Sequence, residues 1–161
     1  MTPVEKAVLD SLAKGIQAEL AAYVFYKKSI EITKDDKLRD ILIDLAAQEK
    51  EHYRILEGQY DSLVRSEMWN TISDALRRKG LPDIDEQMDG VHEELIEEVS
   101  ESTTPLRVLE IALVLEERAV SIYSNMADKI ADPKGKEMYE YLVKFETGHV
   151  RLIKKLIEEF K

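Results

Sequence analysis

A single gap-free offset of 97 residues lays the last third of the chain on its first third, and it aligns polar residues that a helical core should not contain. Glu19 then matches Glu116, Tyr26 matches Tyr123, Glu49 matches Glu146 and His52 matches His149. Ala22 with Ala119, Asp35 with Asp132, Leu45 with Leu142 and Arg54 with Arg151 are also identical. Overall identity between the two segments is low, so helical periodicity alone does not account for where the matches fall. The chain reads as two copies of one unit.

Each copy reads as a helical hairpin. Only 6 Gly and 4 Pro occur in 161 residues, and apolar residues recur at spacings of three and four. Thr2-Pro3-Val4-Glu5 opens a first helix with an N-cap, Pro at the first helical position and an acid where a capping box wants one. Its seam runs through Leu12, Ile16, Tyr23 and Ile30 to about Thr33. Asp35-Asp36 opens the second helix, Thr104-Pro105 the third and Asp132-Pro133 the fourth. The predicted organisation is one domain over 1–161, with a hairpin at 2–57, a crossover at 58–104 and a hairpin at 105–161. Within the crossover, Tyr60 to Lys79 reads as a helix stopped by Gly80, Leu81 to Gly90 as loop, and His92 to Ser102 as a short acidic helix. Trp69 is expected to anchor the crossover to the bundle, and His92 to lie at the surface.

Four carboxylates fall inside the apolar seams. Glu19 lies between Ile16 and Tyr23, Glu116 between Leu113 and Val120. Glu49 and His52 lie between Leu45 and Ile55, and Glu146 and His149 between Leu142 and Ile153. Glu-x-x-His spacing puts both side chains on one helix face, roughly 4.5 Å apart along the axis. Glu51, Glu57 and Glu117 fall off the seams and read as solvated surface. Four carboxylates facing one core would repel each other and lose hydration. Two divalent cations balance their charge, and two neutral imidazoles complete a donor set that suits iron or manganese, with zinc also accepted.

The motifs AELAAYVFY, QEKEHYRIL, VLEERAVSIY and FETGHVRLI, one on each long helix, resemble those of the ferritin-like di-iron carboxylate superfamily, and within it of the rubrerythrins. The resemblance spans both hairpins and implies an all-α, ferritin-like four-helix bundle of two antiparallel hairpins joined by a long, partly helical crossover. It implies two iron ions held by Glu19, Glu49, His52, Glu116, Glu146 and His149, with Glu49 and Glu146 as bridges. It further suggests that Tyr26 and Tyr123 hydrogen-bond to ligand carboxylates. The implied activity is reduction of peroxide or dioxygen, for oxidative-stress protection or ferrous iron oxidation. A di-metal oxygenase acting on a small substrate and a non-enzymatic iron-binding protein are the alternatives.

Two departures from rubrerythrins matter. Ala119 stands where they carry an additional carboxylate associated with peroxide reduction; with Ala22 it could instead leave room beside the ligands for dioxygen or a small substrate. The chain also has no Cys, which removes a rubredoxin site along with disulfides and thiol catalysis. Electrons would then come from an external donor, rubredoxin-like or other. The 33 acids against 23 Lys and Arg give a net charge of −10, a sign that disfavours nucleic acid and anionic lipid as partners. The longest apolar run, Leu20 to Tyr26, is too short to span a bilayer, and Met1 to Asp10 shows no targeting signal. The expected location is the cytoplasm, and the expected assembly, by family habit, a homodimer.

Overall fold

The structure is a computed structural model that describes residues 5–161, so the Thr2-Pro3-Val4 portion of the expected first cap lies outside the described residues. Four long helices carry the fold: α1 (Lys6–Ile32), α2 (Asp36–Ser66), α5 (Pro105–Lys129) and α6 (Pro133–Phe160). Between them lie the short α3 (Ile72–Arg77), a 3₁₀ segment (Ile84–Gly90) and α4 (Glu94–Glu97). No strand occurs among the described residues.

Caps set where the hairpins turn. Asp35 accepts from the Leu38 amide at 2.8 Å, Asp132 from the Lys134 amide at 2.9 Å, and Thr104 from the Arg107 amide at 3.1 Å, just ahead of Pro105. Each such cap is worth about 1 kcal/mol. α1 pairs with α2, α5 pairs with α6, and α1 packs on α5, so the helices with lone Glu residues lie side by side. Leu12, Leu38, Leu42, Ile55, Met138 and Ile153 are fully buried in the shared core.

The crossover departs from its expected boundaries. α2 does not stop at residue 57 but runs to Ser66, and Tyr60 to Lys79 is not one helix. The break is made by α2 itself. Glu67 ends the helix in the left-handed region at φ 58°. Buried Gln59 then clamps Asn70 with two 2.8 Å bonds, donating to its carbonyl and accepting from its amide. Ser62 donates to the Met68 carbonyl at 2.6 Å, and Arg54 donates to the carbonyls of Leu76 and Arg78, both at 2.8 Å. These bonds satisfy backbone groups that a continuous helix would have satisfied internally. Leu81 to Gly90, expected as loop, contains the 3₁₀ segment, whose Ile84 is buried. The acidic helix shrinks to Glu94–Glu97.

The rest of the crossover straps the bundle. Asp85 accepts from the Tyr23 hydroxyl at 2.5 Å and from Lys50 at 3.0 Å, and Lys28 donates to the Ile96 carbonyl at 3.0 Å. Trp69 packs edge-on against Tyr139 with ring centres 6.4 Å apart, and His92 is exposed beside Glu97. No described helix is long and apolar enough to cross a membrane.

Two helical glycines meet opposite surroundings. A Cβ on Gly58 would collide with the Ala75 backbone of α3, whereas one on Gly148 would meet nothing within 4 Å. Gly58→Ala is therefore expected to destabilise by about 1–3 kcal/mol through overpacking. Gly148→Ala is expected to stabilise by about 0.5–1 kcal/mol through helix propensity. Urea unfolding of the two variants should show midpoints moving in opposite directions.

Candidate metal centre

The six seam residues converge. Glu19, Glu49, His52, Glu116, Glu146 and His149 are all buried, none more than 5% exposed. They form two groups of four, each able to bring one donor atom per residue to within 4.8 Å of the others. One group is Glu19, Glu49, His52 and Glu146; the other is Glu49, Glu116, Glu146 and His149. Glu49 and Glu146 belong to both.

Both histidines turn Nδ1 inward. Nδ1 of His52 lies 2.7 Å from Glu146, 3.7 Å from Glu19 and 4.0 Å from Glu49. Nδ1 of His149 lies 3.0 Å from Glu49, 3.4 Å from Glu116 and 3.6 Å from Glu146. The tyrosines reach across the bundle. Tyr26 of α1 donates to Glu116 of α5 at 2.6 Å, and Tyr123 of α5 donates to Glu19 of α1 at the same distance. Burial, reinforced by the facing carboxylates, pushes both phenols well above their usual range and keeps them as donors.

One oxygen on each of the four carboxylates, and Nδ1 of His149, are buried without a well-formed hydrogen bond. Such groups cost free energy wherever nothing compensates them. Protons compensate in part. Burial, then the Glu146 charge, pushes Glu19 up to about 7. Burial, then the charge of Glu116, drives Glu49 and Glu146 well above the carboxylate range. For Glu116 burial acts upward too, but the adjacent Glu146 carboxyl, the His149 ring and the Tyr26 hydroxyl outweigh it and hold it near 2. His149 is the mirror case: burial acts downward, and Glu116 and Glu146 raise it to about 10. Burial lowers His52. The oxygens and ring nitrogens so gathered surround a space where a hard or borderline divalent cation fits the donor chemistry.

The sequence reading missed Gln48, whose Oε1 lies 2.7 Å from Nε2 of His149. A polar residue just before a core Glu looks like surface, and only the register of α2 against α6 shows what it touches. Glu57, expected at the surface, is half-buried and burial raises it. Ala22 and Ala119 are buried, but neither lines the open pocket beside α1 and α5. That space of about 530 Å³ lies between the outer face of α1 and α5 and the crossover, against Ala18, Ala21, Leu115 and Val91.

A family model for the ferritin-like domain matches residues 7–159. The chain belongs to the ferritin-like domain family. No curated protein matches it significantly. Among solved structures, the bacterioferritin of Rhodobacter capsulatus, described with a metal-free dinuclear site and a heme iron, superposes with a TM-score of 0.63. It shares 20% identity, over 99% of this chain and 88% of that one, a likeness of fold.

The cluster makes metal-free stability pH-dependent with a definite sign. Glu19 titrates at about 7 folded and near 4.5 unfolded, so the folded state holds more protons between these values. Stability is therefore lost as pH rises through that window, by roughly 3 kcal/mol from this group. Glu49, Glu146 and His149, also raised, act in the same direction, and His52, lowered, opposes them. Thermal melts in chelator are expected to show the midpoint falling from pH 5 to pH 7.5, and Glu19→Gln should flatten that fall.

Proposed function

We propose that this ferritin-like protein is a di-iron redox protein of rubrerythrin-like type, reducing peroxide or dioxygen with electrons from a separate donor. One observation carries the reading: two buried four-residue donor sets share two carboxylates, and both hold oxygens that the protein leaves unbonded. Four carboxylates supply four negative charges, which two divalent cations balance, leaving the histidines neutral.

The residues divide the work. Glu49 and Glu146 would bridge, Glu19 with His52 would complete one position, and Glu116 with His149 the other. Tyr26 and Tyr123, each bonded to a carboxylate on the opposite hairpin, fix those carboxylates in place and tie the two halves together. The apolar shell of Leu45, Ile55, Leu142 and Ile153 shields the cluster from bulk water. Iron supplies what no side chain here can, storage of two electrons and their delivery to an oxidant. Manganese and zinc suit the same donors, and only zinc would leave the site without redox activity.

Replacing Glu49 and Glu146 together with Ala is expected to abolish binding of both metals, while the metal-free fold survives because two desolvated, incompletely bonded carboxyls have been removed. Metal analysis paired with circular dichroism checks this; two metals retained per chain would make the bridge assignment wrong. For the activity, protein reconstituted anaerobically with ferrous iron should be oxidised on rapid mixing with peroxide, dioxygen or both, and regain its ferrous state with an added reductant. Ferrous protein unreactive toward both oxidants would leave only metal binding. Rapid multiple turnover with dioxygen and excess ferrous iron would mark a ferroxidase.

A further inference from the structure

The offset that equates the ligands also equates Gln48 with Phe145, each immediately before the Glu of a Glu-x-x-His pair. In the fold, each covers the histidine of the opposite helix, and they do so by different chemistry. Gln48 of α2 accepts a hydrogen bond from Nε2 of His149 at 2.7 Å. Phe145 of α6 lies edge-on to the His52 ring, with centres 5.5 Å apart and planes at 74°, backed by Tyr141 at 4.7 Å. No described protein group accepts a hydrogen bond from Nε2 of His52. Phe145 itself is 37% exposed.

An imidazole that presents one nitrogen to a metal is oriented by what its other N–H donates to. Such a bond fixes tautomer and ring angle and raises basicity, and its loss typically costs about 10- to 100-fold in metal affinity. His149 has this bond. His52 has no such outer bond: its Nδ1 is hydrogen-bonded to Glu146 on the inner side, and its outer edge meets only the Phe145 ring. We propose that Gln48 makes the two metal positions unequal: the one at His149 and Glu116 fills first and is retained, and the one at His52 and Glu19 fills second and empties first. Gln48 is thus a positioning residue for His149, and Phe145 the movable cover of the exchangeable position. The inference rests on the two-metal reading of the centre and adds an order to it.

Cobalt(II) is a suitable probe because its binding is visible by absorption as well as calorimetry. Titration of the full chain should give two steps, with dissociation constants about tenfold or more apart. Crystals grown with one equivalent should place the anomalous signal at His149. Gln48→Leu should weaken the tight step and merge the two. Phe145→Gln, which offers His52 an acceptor, should tighten the weak step, a gain that misfolding cannot mimic. Equal occupancy at one equivalent, first filling at His52, or two steps unchanged in Gln48→Leu would overturn the proposal while leaving a two-metal centre intact. Failure of wild type to bind cobalt at all would overturn both.

Discussion

Burying four carboxylates within one core is the constraint on which the rest of this structure depends. Each is 1% exposed or less, and together they would oppose folding unless protons or cations intervene. The geometry answers that cost at each level. The caps at Asp35, Thr104 and Asp132 place the helix starts, and so set how far along each helix the polar residues fall. Lone Glu residues ride on the two helices that pack side by side, and the bulkier Glu and His pairs ride on the other two. Tyr26 and Tyr123 bond across the hairpins, so the halves are joined through the site itself as well as through apolar packing.

Much of this was legible in the sequence because the signals were of the strongest kinds. Capping residues followed by Pro mark Thr104 and Asp132, and the structure begins α5 and α6 just after them. Polar residues in phase with an apolar seam, repeated at one offset, singled out the six that the fold gathers. The crossover was less legible for a physical reason. Apolar spacing continues past Ser66, and what ends α2 there is a left-handed Glu67 with the Gln59 clamp on Asn70. Those are bonds between a helix and the chain just beyond it, with no periodic trace. Gln48 and Glu57 escaped similarly, since their burial depends on a neighbouring element rather than on their own helix.

The repeat is faithful at the ligands and tyrosines, and it diverges around them. The two hairpins hold the crossover by different contacts: the first through Tyr23 and Lys50 on Asp85 and Lys28 on the Ile96 carbonyl, the second through Arg107 on Glu98, Arg118 on Glu93 and Tyr139 against Trp69. Only one histidine is backed by a hydrogen bond on its outer edge. A duplicated scaffold can therefore keep charge balance symmetric while letting the two ends of the centre differ in rigidity and exposure. The ferritin-like fold positions the carboxylates, and the residues next to them, Gln48 at one end and Phe145 at the other, differ in chemistry.

Native mass spectrometry of the protein reconstituted anaerobically with ferrous iron tests the central claim most directly, because it counts metals per chain on intact molecules. The account predicts a single dominant species carrying two metals, each gained with loss of protons, and reversion to the bare chain on chelation. A bare chain in the presence of excess ferrous iron, with the fold intact, would contradict it.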